Sequence, residues 1–216
     1  MSENGKTRNV FLSGVGGQGT ILASNILGQV LLNAGYDVKK AEVHGMAQRG
    51  GDVTTHFRFG QKVYSPLIKQ GEVDYLVSFE LLEALRYINW VKPGGTVILN
   101  NHTILPPSVS LGTMEYPGDV ERTFRRYFKE NVWIVNGSEI ARLLGSVQVA
   151  NVVLIGALSN FFPEIAVERW TDGIRALLPE KLHEINVQAF REGRAAIGVQ
   201  LETCAEINKK ACSSPV

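Results

Sequence analysis

Glycine occupies positions 14, 16, 17 and 19 in the segment Gly14-Val15-Gly16-Gly17-Gln18-Gly19, which follows the apolar run Val10-Phe11-Leu12 and directly precedes a helical stretch from Thr20 to Leu32. A glycine-rich turn between a buried strand and a helix narrows the fold more than any other feature of the chain. Glycines at the first, third and sixth places allow a tight turn, close approach of a backbone or a phosphate, and close helix-to-sheet contact. The loop amides and the helix N-terminus together suit an anion. The same glycines equally suit a tight turn that only brings a neighbouring subunit close, so both readings stand at this point.

The remaining pattern extends that opening unit. The helix carries Leu22, Ile26 and Val30 on one side and ends at Ala34-Gly35, and Tyr36 to Val43 returns as a second strand in a βαβ unit. Gly45-Met46-Ala47-Gln48-Arg49-Gly50-Gly51 reads as a loop at the carboxyl end of that strand, where ligands of open parallel sheets usually bind. Val53, Thr55, Phe57 and Phe59 alternate with polar residues, and Gly60-Gln61 leads into Val63-Tyr64, which predicts an inserted antiparallel hairpin. A second doubly wound unit follows: strand Tyr75 to Val77, helix Glu80 to Trp90, turn Lys92 to Gly95 and strand Thr96 to Leu99. Pro106-Pro107 marks a linker, Asp119 to Lys129 a helix, Val132 to Val135 a strand, and Ser138 an N-cap for Glu139 to Leu144. From Val147 the chain is helical, broken at Pro163, with a last helix begun by Pro179. The expected fold is α/β, doubly wound, with a mostly parallel sheet, an inserted β-hairpin and a helical C-terminal portion. Its expected boundaries are a flexible N-terminus 1–8, a single domain 9–203 and a tail 204–216.

Composition excludes several functions. A net charge of +1 with 20% charged residues leaves no basic footprint for nucleic acid. The segment Met1 to Arg8 has no apolar signal core, and the most apolar stretch, Val147 to Phe162, is short and contains Gln148, Asn151, Ser159 and Asn160. No membrane association is expected, and a cytoplasmic location is. Cys204 and Cys212 are the only cysteines, too few for a four-cysteine iron–sulfur cluster. His44, His56, His102 and His183 show no metal-ligand spacing, and no metal is expected on this chain. Each histidine reads first as a surface or packing residue, His44 being the one beside a glycine loop. No serine sits in a nucleophile-elbow pattern.

Glu42, near the end of the second strand, is placed to take a ribose hydroxyl, which keeps open a stand-alone dinucleotide-binding protein. Arg49 on its glycine loop suits a phosphate or carboxylate, or equally an interchain ion pair. Arg122, Arg125 and Arg126 read as a solvated helix face.

In their order and spacing, Gly14 to Gly19, Glu42-Val43-His44-Gly45-Met46-Ala47-Gln48-Arg49-Gly50-Gly51, Tyr64-Ser65-Pro66-Leu67-Ile68 and Lys92-Pro93-Gly94-Gly95-Thr96-Val97 resemble the gamma-type subunit of 2-oxoacid:ferredoxin oxidoreductases. The resemblance runs over roughly Asn9 to Ala196. The form of the second loop is most similar to the beta subunit of the indolepyruvate enzymes. The resemblance implies a subunit, inactive alone, of a complex that oxidatively decarboxylates an aryl 2-oxoacid, with coenzyme A as acyl acceptor and ferredoxin as electron acceptor. Thiamine diphosphate, magnesium and the iron–sulfur clusters then belong to a larger partner. In agreement, neither Gly118-Asp119 nor Gly51-Asp52 continues into a thiamine diphosphate signature. No catalytic residue is expected here. Gly14, Gly16, Gly17, Gln18, Gly19 and Arg49 are the candidates for coenzyme A phosphate or interface contacts. A structural subunit that binds no small molecule remains the other reading.

Overall fold

A computed structural model describes residues 7–44 and 51–212, with side chains for 7–43 and 51–203. Its strands are β1 (Arg8–Val15), β2 (Asp37–His44), β3 (Asp52–Gly60), β4 (Val73–Ser78), β5 (Val91–Asn100) and β6 (Val132–Val135). They form a six-stranded mixed sheet in the order β2-β3-β1-β4-β5-β6. The helices that matter for the site are α1 (Thr20–Asn33), α2 (Leu81–Arg86), α3 (Pro107–Ser110), α4 (Val120–Phe128), α5 (Gly137–Leu143), α6 (Ala150–Ser159), α7 (Val167–Leu177) and α8 (His183–Cys212).

The period-two pattern of the strands assigns each residue to a face. Val10, Leu12, Val77, Ile98, Trp133 and Val135 face a core shared with α1, α6, α7 and α8. Phe11, Leu76, Val97, Leu99 and Val132 face a second core built with α2 and α4. Because α1 lies on one face and α2 on the other, the winding direction reverses between β1 and β4. The crevice at their carboxyl ends is the switch point where ligands of such sheets bind.

The antiparallel insertion is present, with a different partner from the one expected. β3 pairs antiparallel with β2, from Asp37↔Gly60 to His44↔Val53, and on its other side with β1, from Arg8↔Phe59 to Val15↔Asp52. Val63-Tyr64 is not a strand. The segment after Gly60 is instead tied down by side chains: Asp37 accepts from Val63 N at 2.9 Å, and Arg58 donates to the carbonyls of Ser65 and Leu67. Alternation identified β3 as half-buried strand, but pairing is non-local and adjacency in sequence named the wrong neighbour.

Other local differences have equally local causes. Lys92 to Gly95 is a bulge inside β5, since the register jumps from Val73↔Val91 to Tyr75↔Thr96, and Gly94 takes a φ of 74°. The helix expected from Glu80 to Trp90 is α2 followed by a 3-10 turn from Ile88 to Trp90. The Glu80 carboxylate caps it by accepting from Glu83 N at 2.8 Å. Pro107 opens the short α3 rather than a linker, and α5 begins at Gly137, with Ser138 inside it and not capping it. Asp119 does cap α4, accepting from Arg122 N at 2.9 Å. Helix α8 follows a 3-10 turn at Glu180–Leu182 and runs past residue 203 to Cys212. It crosses α6 at backbone contact, where a Cβ on Gly156 or Gly193 would overlap a carbonyl of the facing helix. No helix among the described residues is long and apolar enough to cross a membrane.

Candidate functional site

The glycine loop leaves β1 at the switch point and is held from several directions. Gln18 folds back, its Oε1 accepting from Val15 N at 2.7 Å and its Nε2 donating to the Phe79 carbonyl at 2.9 Å. Gly16 N donates to the carbonyl of Gly51 at 2.8 Å, so the first glycine loop touches the last residue of the second. A Cβ on Gly14 would lie 2.8 Å from Gln18 Oε1 and 2.9 Å from Phe79 Cβ. Gly17 and Gly19 have φ of 103° and 77°, the left-handed side that glycine takes without a steric penalty. At Gly19 a Cβ would also overlap the amide of Asn151, whose Nδ2 donates to Gly19 O at 3.2 Å. The sixth glycine therefore permits contact with α6 and not with the sheet.

Around this loop the carboxyl ends of β1, β4 and β5 and the starts of α1, α5 and α6 enclose a cleft of about 570 Å³. Gly17, Gln18, Gly19 and Phe79 line one part, and Asn100, His102, Ser138, Gln148 and Asn151 supply further polar groups. Asn100 bridges strands and helix: its Nδ2 donates to Phe79 O at 3.1 Å and to Ser138 Oγ at 3.2 Å, and its Oδ1 accepts from Gly137 N at 3.0 Å. Among the described residues no Asp or Glu lines the cleft. Helices α1 and α6 both start there with no side-chain cap and no acidic residue in the first turn. The leading amides of α1, and those of α6 left over after Ala150 N bonds Val147 O and Val152 N bonds Asn151 Oδ1, form a positive end without a built-in counter-charge, which suits a phosphate or carboxylate.

On the α2 side of the same rim the chemistry is acidic. Glu83 is 6% exposed, and its carboxyl is raised above the ordinary range by burial, against the pull of Arg86, while Oε2 has no hydrogen-bond partner. Tyr87 donates to Asp52 Oδ2 at 3.3 Å, and burial together with that carboxylate pushes its hydroxyl up to about 12.

Of the residues read from sequence, Gly14, Gly16, Gly17, Gln18 and Gly19 are all at the switch point, with Gln18 serving as the loop's internal clamp. Arg49 and the rest of Gly45 to Gly50 lie outside the described residues, as does the side chain of His44. Glu42 departs from its expected role. It sits on the edge strand β2, with β3 between it and β1, so it lies about 5 Å farther from β1 across the sheet than an acid on a neighbouring strand would. Its carboxylate accepts from Lys40 Nζ at 2.7 Å. That geometry removes the main support for a dinucleotide-binding module. Sequence reasoning missed Asn100, His102 and Asn151 as site residues. The polar positions Gln148 and Asn151 inside an otherwise apolar helical stretch were the available signal for the last. Among the described residues no group of His, Cys, Asp and Glu could hold a metal ion.

Over residues 9–196 the sequence matches the family described as pyruvate ferredoxin/flavodoxin oxidoreductase. It is 41% identical over 192 residues to indolepyruvate oxidoreductase subunit IorB of Thermococcus kodakarensis, across 87% of this chain and 95% of that protein. It is 35% identical over 192 residues to the subunit of the same name from Methanothermobacter thermautotrophicus, across 87% and 96%. The fold is shared with the gamma subunit of a keto/oxoacid ferredoxin oxidoreductase from Geobacter sulfurreducens, with a TM-score of 0.64 at 22% identity over 89% of this chain and 99% of that one. It is also shared with 31% of the chain of a 2-oxoglutarate:ferredoxin oxidoreductase from Magnetococcus marinus, with a TM-score of 0.69 at 20% identity over 90% of this chain. The switch-point loop, the mixed sheet and these likenesses agree, and the chain belongs to the pyruvate ferredoxin/flavodoxin oxidoreductase family.

Proposed function

We propose that this chain is the small subunit of a cytoplasmic complex that oxidatively decarboxylates an aryl 2-oxoacid of the indolepyruvate type, passing the acyl group to coenzyme A and electrons to ferredoxin. The names of the relatives at 35–41% identity support the substrate class. A larger companion subunit carries thiamine diphosphate, magnesium and the iron–sulfur clusters. The thiamine cofactor supplies the carbanion chemistry where it is bound. This chain closes the complex and holds part of the acyl acceptor.

The observation that carries the second role is the acid-free cleft with two uncapped helix ends at Gly19 and Ala150. Such a site fits the phosphates of coenzyme A and would repel nothing about them. The solved Magnetococcus marinus enzyme that contains this fold was determined with coenzyme A and succinyl-CoA bound. Gly17 and Gly19 bring backbone to the ligand, and Arg49 adds a charge-assisted contact from the second loop.

The test is the complex co-purified with its companion, assayed with indolepyruvate, phenylpyruvate, pyruvate and 2-oxoglutarate, and titrated with coenzyme A. Gly17→Val and Arg49→Ala are each expected to weaken coenzyme A binding about tenfold, the loss of one good charged or backbone contact. Unchanged affinity in both variants favours the alternative of a purely structural subunit, which the internal bonds of Gly16 N and Gln18 support. Turnover by the purified chain alone would end the subunit reading.

A further inference from the structure

The polar groups of the cleft divide into two sets. Gln18, Asn100 and Asn151 spend their side chains on the frame, on Val15 and Phe79, on Phe79, Ser138 and Gly137, and on Gly19. Ser138 accepts from Asn100. His102 and Gln148 make no side-chain hydrogen bond, ion pair or ring contact among the described residues, yet both line the cleft. The other histidines with described side chains are committed to the fold. His56 Nδ1 accepts from Ile68 N at 3.1 Å with Phe11 and Trp90 packed edge-on, and His183 Nε2 lies 2.8 Å from the Leu178 carbonyl.

The ring of His102 stands on a fixed backbone. Its N–H donates to Asn100 O at 2.7 Å and its carbonyl accepts from Leu81 N at 3.1 Å. Two residues on, Ile104 N donates to Glu80 Oε1 at 3.1 Å, and Tyr116 donates to the same oxygen at 2.6 Å. The ionisable groups of the packed elements are therefore occupied elsewhere: Glu80 is 1% exposed and filled by these donors and Glu83 N, and Glu83 pairs with Arg86. Among the described residues His102 is the one ionisable side chain that lines the cleft.

We propose that His102, with Gln148 in the same lining, is the side chain that recognises an anionic phosphate oxygen of the ligand. An imidazole offers an N–H donor in either tautomer and a positive charge when protonated, and its fixed backbone lowers the entropy cost of using it. The proposal rests on the reading of the cleft as the seat of coenzyme A phosphates and adds to it a specific recognition residue.

Coenzyme A is titrated calorimetrically into the assembled complex carrying wild-type chain, His102→Ala, His102→Lys or Gly17→Val. The expected result is about a tenfold loss of affinity in His102→Ala, largely restored in His102→Lys, where a different shape supplies an N–H donor to the phosphate oxygen. Equal affinity of His102→Ala and wild type, with Gly17→Val weakened, overturns the role of His102 and leaves the cleft reading in place. A loss in His102→Ala that lysine does not restore also overturns it, because the ring then acts by packing. Unchanged affinity in every variant removes the cleft reading and this proposal together.

Discussion

The two rims of the sheet are built on opposite principles. At the amino-terminal rim Arg8 is stacked over Phe59 at 4.7 Å and Phe162 at 5.0 Å and pairs with Glu164. Beside it Asp74 accepts from Asn9 N at 2.7 Å and pairs with Lys92, while Asn9 Nδ2 donates to Glu72 O and Asn9 Oδ1 accepts from Arg58. Arg8, Asp74 and Lys92 there each meet an opposite charge or an aromatic face. At the carboxyl-terminal rim α1 and α6 start without an N-cap side chain, His102 and Gln148 make no side-chain hydrogen bond among the described residues, and Glu83 Oε2 is buried without a donor. Side chains that line a cleft without being committed to its frame are available to a ligand or companion, because local rules give way where function needs them. In the proposed function the amino-terminal rim serves stability and the carboxyl-terminal rim recognition.

The sharpest challenge to that division is Gly19, a recognition-rim residue that is tightly packed. Gly19→Ala must hold a side chain at a φ of 77° and displace Asn151. The left-handed backbone costs about 1–2 kcal/mol and the lost Asn151 bond about 1 kcal/mol, for a total of about 2–3 kcal/mol. Urea denaturation of the chain reads this directly. A loss below about 1 kcal/mol would show that α1 and α6 are not locked together at this point, and the cleft would then have a soft floor.

Arg8→Ala tests the other rim. Loss of the partly desolvated stacking contributes about 1–2 kcal/mol, and the ion pair with Glu164, more than a third exposed on the glutamate side, adds only a few tenths. The expected result is a loss of about 2 kcal/mol in stability with coenzyme A affinity of the complex unchanged. A change in affinity would show that the rims are coupled through β1, and the division would fail.

How much of this was legible in the sequence follows from what is local. The glycine loop, β1 and α1 were legible because strand burial, positive φ and helix patterning each act within a few residues. The position of β3 was not, because Val53 to Phe59 alternate in the same way whether the partner is Val63-Tyr64 or, as found, β1 and β2. That one misplaced pairing also made Glu42 look like a ribose ligand. Asn151 meets Gly19 across 132 residues, and only its polarity within Val147 to Phe162 hinted at a task. His102 follows β5 in a stretch with no motif, so its freedom becomes visible only when the bonds of its neighbours are known.

Glu83 gives the smallest effect and the finest test of the contrast. Its folded-state carboxyl is raised above the ordinary value of 4.5, first by burial and then by the nearby Asp52 and Glu80 carboxylates, with Arg86 opposing. A raised folded-state value means that the native state holds the proton more tightly than the unfolded chain. The stability this confers is fully present below 4.5 and is lost as pH rises through the folded-state value. Glu83→Gln carries no charge to bury and keeps an oxygen for Arg86. The two proteins should therefore match in acid, and the variant should become the more stable by up to about 1 kcal/mol toward neutral pH. Paired denaturation curves across that range isolate the effect from every other carboxylate, since only this position differs. Parallel curves would mean that the orphaned oxygen costs nothing, and the carboxyl-terminal rim would then be less strained than its missing donor implies. A more stable variant whose complex turned over more slowly would place the cost of that buried acid in the service of the recognition edge.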